Sequence, residues 1–73
     1  LTGEAASIYE QLRQWRLEIA RSQGVPAYVI LHDKTLRELA LQRPGSPQEL
    51  LDVAGVGEAK AERYGADILR LVG

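Results

Sequence analysis

The chain has 73 residues, 45% of them hydrophobic, with no cysteine, no methionine, one histidine and a formal net charge of −1. That length sits near the lower limit for one self-sustaining core and leaves no room for a second domain. The missing cysteines exclude disulfides and thiolate metal sites, no run approaches the roughly 18 apolar residues of a membrane span, and the near-neutral charge argues against a strongly electrostatic nucleic-acid binder.

Leucine and alanine dominate the apolar content, which favours helices. The first helix is read from Ser7, which with Glu10 matches a capping box; the alternative is an earlier turn over Glu4 to Ala6. Ile8, Leu12, Trp15 and Ile19 form one apolar stripe, and Gly24 is the natural stop. Beside it, Tyr9, Arg13 and Arg16 form a second stripe, an aromatic with two cations suited to a phosphate backbone. Pairing of Glu10 with Arg13 is the plainer account of the same residues.

Pro26 begins a short helical turn reaching Leu31. Asp33 is the expected N-cap of a third helix, Lys34 to Arg43, with Leu36, Leu39 and Ala40 inward. Arg43-Pro44-Gly45 ends it. Ser46-Pro47-Gln48-Glu49 then supplies a cap, a proline at the first helical position and a glutamate three residues after the cap, starting a fourth helix that runs to about Val53. The last helix follows Gly57, with Ala61, Tyr64, Ile68 and Leu71 inward. Gly65 weakens it by about 1 kcal/mol relative to alanine unless another helix crosses closely there. No stretch alternates as a strand. The expected fold is all-α: one domain over residues 1–73, a compact five-helix bundle with a helix-hairpin-helix-like turn between the last two helices.

That turn, Gly55-Val56-Gly57, admits two readings. Its glycines and the amides opening the next helix have the geometry of a phosphate cradle, with Lys60 as the nearby cation. Glu58 in the first turn favours the helix dipole but repels a phosphate, which supports a plain helix-to-helix turn with Val56 packed inward. Charge divides the same way: residues 1–43 carry a net +1 and residues 44–73 a net −2. No nucleophile has a base at a recognisable spacing, and His32 reads as a surface imidazole, so no catalytic constellation is expected.

Four segments in order resemble the HRDC domain, the helicase and RNase D C-terminal module. They are Leu12-Arg13-Gln14-Trp15-Arg16, Val25-Pro26-Ala27-Tyr28-Val29-Ile30-Leu31, Asp33-Lys34-Thr35-Leu36, and Gly55-Val56-Gly57-Glu58-Ala59-Lys60-Ala61-Glu62-Arg63-Tyr64-Gly65. The resemblance implies a helical accessory domain of a RecQ-family helicase, without chemistry or a cofactor of its own, in a parent that uses ATP and Mg. The start at Leu1-Thr2-Gly3-Glu4 reads as a cut from a longer protein, of which this is expected to be a C-terminal piece, and the preference for arginine over lysine with the Ala and Leu richness points to a bacterial source; a monomer in the cytoplasm near the nucleoid is expected. The expected partners are DNA, bound weakly as single strands or junctions, and other domains of the parent.

Two sets of residues are candidates. Tyr28, Lys34, Arg37 and Lys60 form the nucleic-acid set: Tyr28 as a base-stacking ring or, alternatively, a cover for the core, and Lys34 and Arg37 on one helix face. Glu49, Asp52, Glu58, Glu62 and Asp67 form an acidic set for docking on the helicase body or a partner. The same module in an RNase D-type exoribonuclease is the other parent these residues allow.

Overall fold

The computed structural model describes all 73 residues in the order α1 (Gly3–Gln23), α2 (Ala27–Ile30), α3 (Asp33–Gln42), α4 (Pro47–Leu51) and α5 (Glu58–Val72), with no strand. The five expected helices are all present, and their ends differ in instructive ways. α1 starts at Gly3, so Ser7 lies a turn inside it, its hydroxyl accepting from Gln11 Nε2 at 3.5 Å instead of capping. Glu4, Ala5 and Ala6 extend the helix because two alanines favour it and a first-turn carboxylate suits the dipole. Gly24 closes α1 in the left-handed region at φ 68°, with Val25 N–H donating to the Ala20 carbonyl at 3.0 Å. At α3 the cap position belongs to His32, and Asp33 is the first helical residue.

The core gathers Leu12 from α1, Ile30 and Leu31 at α2, Leu36 and Leu39 from α3, Leu50 and Val53 at α4, and Ile68 and Val72 from α5, all essentially closed to solvent. Each such side chain is worth roughly 1.5–3 kcal/mol by burial, more than any exposed ion pair on the surface. α1 is the hub, packing on α2, α3 and α5, while α4 packs on α5. Gly65 marks that last crossing: a Cβ there would meet Leu50 Cδ2 at 3.3 Å, so the helix-weakening glycine is a close-approach residue.

Two polar anchors fix the periphery. Ser46 Oγ accepts from Glu49 N–H at 3.2 Å, while the Glu49 carboxylate reaches back to Gly45 N–H at 2.7 Å, one residue earlier than a standard capping box. Ser46→Ala should lower stability by about 1 kcal/mol and the thermal midpoint by about 4–8 °C, read by circular dichroism. Arg43 caps α3 at φ 46° and ties three chain regions: it donates to the Val72 carbonyl at 2.9 Å and the Gly73 carbonyl at 3.3 Å, and pairs with Glu4.

Candidate nucleic-acid interface

The Gly55-Val56-Gly57 hairpin is built for packing. Gly55 has φ 93°, and a Cβ on it would stand 2.1 Å from Thr35 Oγ1. Thr35, buried on α3, donates that hydroxyl to the Ala54 carbonyl at 3.2 Å, and Val56 is buried beside it. Gly57 has an ordinary φ of −86° and open space around its Cα. The first helical bond of α5 runs from Ala61 N–H to the Gly57 carbonyl, which leaves the amides of residues 58–60 without helical acceptors, next to the exposed Glu58 carboxylate. The Gly55, Thr35 and Val56 packing accords with the turn reading, and the open amides accord with the cradle reading.

Tyr28 behaves differently. Pro26 fixes the entry to α2, and this helix, only four residues long, turns Ile30 into the core and leaves Tyr28 60% and Val29 46% exposed. The Tyr28 and His32 rings are stacked, with centroids 6.1 Å apart and planes 26° apart. With 60% exposure Tyr28 is not a cover for the core, and His32, expected as an isolated surface imidazole, is its stacking partner.

The other three candidates divide. Lys60 comes to this region from α5, its Nζ donating to the Val29 carbonyl at 3.4 Å. Lys34 and Arg37 are exposed on α3, neither held in an ion pair, and neither shares a polar contact with Tyr28 or Lys60. Where α1 ends against α2 and the start of α5 there is a cleft of about 620 Å³, lined by Gln23, Val29, Ile30, Lys60, Arg63 and Tyr64 among others. Gln23 donates to the Tyr64 hydroxyl at 3.1 Å. That bond, assisted by hydrogen bonding from Arg63 and by the positive charges of Arg63 and Lys60, holds the Tyr64 phenol below its ordinary value against the opposing effect of burial. Arg63, Gln23 and Tyr64 were not expected at the site, because the pairing of Gln23 with Tyr64 spans 41 residues and leaves no local spacing signal.

The stripe of Tyr9, Arg13 and Arg16 is not a basic face. Arg16 is buried, its Nη1 donating to the Leu31 carbonyl at 2.8 Å and its Nη2 pairing with Asp33 at 2.8 Å. A signal for this was present, since Arg16 falls at a step of four between Leu12 and Ala20, both buried. Arg13 pairs with Glu10 at 2.7 Å, and that bond with Gln14's holds the Glu10 carboxyl down to about 2. Trp15 is half-buried as a packing residue, edge-on to Tyr64 with its Nε1 donating to Asp67 at 3.3 Å. Of the acidic set, Glu49 is spent on Gly45 and Asp67 on Trp15 and Arg70, while Asp52, Glu58 and Glu62 are exposed and outside any ion pair.

This geometry belongs to a recognisable module: the family model for the HRDC domain matches residues 5–72. The chain belongs to the HRDC domain family. Its fold is that of the solved D. radiodurans RecQ HRDC domain 3, with a TM-score of 0.89 and 36% identity, covering 96% of this chain and 92% of that one. The ATP-dependent DNA helicase UvrD2 of Mycobacterium tuberculosis is 45% identical over 62 residues, which is 85% of this chain and 9% of that protein. The ATP-dependent DNA helicase RecQ of Bacillus subtilis is also 45% identical over 62 residues, 85% of this chain and 10% of that protein. This HRDC chain therefore spans about a tenth of the length of the helicases it matches. None of its helices is long and apolar enough to cross a membrane.

Proposed function

We propose that this HRDC domain is a non-catalytic accessory module of a RecQ-like DNA helicase, binding single-stranded or junction DNA weakly and adjusting the parent's affinity and choice of DNA structure. ATP and Mg would serve the parent's motor, with no cofactor in the domain. The observation that carries this reading is Tyr28, a large ring 60% exposed on a short turn whose Ile30 is buried. Stacking on such a ring is worth roughly 1–3 kcal/mol per base and tolerates any sequence, as an accessory contact to a moving strand requires. A net charge of −1 keeps the backbone contribution small, so affinity is low and falls further with salt. Titrating a labelled single-stranded oligonucleotide at low salt by fluorescence anisotropy tests the proposal. Tyr28→Ala should weaken binding about 5- to 150-fold at an unchanged thermal midpoint. Absence of binding at high micromolar protein, or an unaffected Tyr28→Ala, would refute the site.

A second reading is supported by Asp52, Glu58 and Glu62, exposed carboxylates outside any ion pair on the hairpin side. They suit docking on a basic surface of the parent, so that charge reversal at Glu58 and Glu62 would change the parent's DNA affinity. An exoribonuclease parent would present Tyr28 to RNA instead.

A further inference from the structure

We infer that the cleft between the end of α1, α2 and the start of α5 is a phosphodiester subsite, in which Arg63, Lys60, Gln23 and the Tyr64 hydroxyl hold a phosphate of the strand whose base stacks on Tyr28. The inference rests on the nucleic-acid reading above and assigns the backbone contacts to residues other than Lys34 and Arg37.

Three observations carry it. First, the cleft gathers donors. Arg63 is held in no ion pair, and the Lys60 ammonium gives one of its three protons to the Val29 carbonyl and keeps two. The Tyr64 oxygen already accepts from Gln23, so its own proton is free, and Gln23 keeps a second N–H. Glu62 is the single acid in the lining, which leaves the cleft a net +1 in a chain of net −1. Second, the lining suits a nucleotide rather than a bare ion: Val29 and Ala59 offer an exposed apolar surface for a sugar edge, and about 620 Å³ falls within the roughly 300–1,000 Å³ of small-ligand sites. Third, the cleft adjoins Tyr28, because Val29 lines the cleft and directly follows Tyr28, and Lys60 donates to the Val29 carbonyl.

The test is a salt series of anisotropy titrations with single-stranded dT and U oligonucleotides of equal length. Arg63→Gln should lower affinity about 3- to 10-fold and reduce the slope of log affinity against log salt by about 0.7, the value for one lost phosphate contact on a single strand. Tyr64→Phe, which keeps the ring packed on Trp15, should lower affinity with the slope unchanged. Equal losses on dT and U support a phosphate contact; a loss confined to one would assign the cleft to sugar or base recognition and overturn the inference. If Arg63→Gln is neutral while Lys34→Gln or Arg37→Gln reduces the slope, the cleft assignment is wrong although Tyr28→Ala still weakens binding. If the unmodified domain binds neither oligonucleotide, the nucleic-acid reading falls with it.

Discussion

Gly55→Ala should remove a large part of this domain's stability, on the order of 2–6 kcal/mol, and lower its thermal midpoint by more than about 10 °C. Two independent causes add. The backbone at φ 93° is a conformation that a side chain strains by about 1–3 kcal/mol, and the new Cβ would stand 2.1 Å from Thr35 Oγ1, forcing α3 or the hairpin to shift. A 73-residue domain has roughly 4–11 kcal/mol to lose, so the variant should be partly unfolded at moderate temperature. Gly57→Ala is the control, with φ −86° and nothing within 4 Å of its would-be Cβ; it should stay within about 0.5 kcal/mol of the parent sequence. Adding Thr35→Ala to Gly55→Ala should relieve the clash but not the strain, so that the double variant loses less stability than the sum of the two single losses. Equal stability of the two glycine variants, measured by thermal circular dichroism, would contradict this account of the hairpin.

The second large effect is at Arg16. Arg16→Met keeps the length of the side chain but deletes the bond to the Leu31 carbonyl, which joins α1 to the segment between α2 and α3. Losing a hydrogen bond from a charged donor and leaving a buried carbonyl bare costs about 1.5–3 kcal/mol. The pair with Asp33 adds little, because the Asp33 side chain is 78% exposed and solvent screens it. Asp33→Asn should therefore change stability by no more than about 0.5 kcal/mol. Part of the loss at Arg16 is offset, since its Nε is buried with no acceptor and methionine removes that cost. Urea unfolding should show a lower midpoint at an unchanged slope, and DNA affinity well below the transition should be unaltered. Retained stability with weakened DNA binding would instead make Arg16 a surface phosphate contact.

Gly55 and Arg16 mark where the linear pattern of residues suffices and where it does not. Gly55 is identifiable as a turn residue from its neighbours, and Ser46 caps α4 as its local signal predicts, whereas the equally local signals at Ser7 and Asp33 fall inside helices. Helix number, the inward face of α3 and the Tyr64 and Ile68 positions of α5 follow from periodicity, while at the end of α5 Val72 takes the core position and Leu71 is half-buried. What escaped depends on contacts between distant segments. Thr35 meeting Gly55, Arg43 reaching Val72, and Gln23 meeting Tyr64 join residues 20, 29 and 41 positions apart. Arg16 is a different failure, a core position disguised by its charge: the step from Leu12 to Ala20 pointed inward, and the guanidinium follows it because the Leu31 carbonyl waits there. At the candidate site, Tyr28 and Lys60 could be named from the chain, but the stacking of Tyr28 on His32 and the cleft behind Val29 are products of how α2 sits between α1 and α5.

The most direct test of the nucleic-acid reading is amide NMR of the 15N-labelled domain titrated with an unlabelled single-stranded oligonucleotide at low salt. Perturbations should cluster at Tyr28 to His32, at Ala59 to Tyr64 and on the Gln23 side-chain amide, and should saturate together. Perturbations centred on Gly55 to Gly57 or on Lys34 to Arg37, or none with a high micromolar excess of the oligonucleotide, would contradict it.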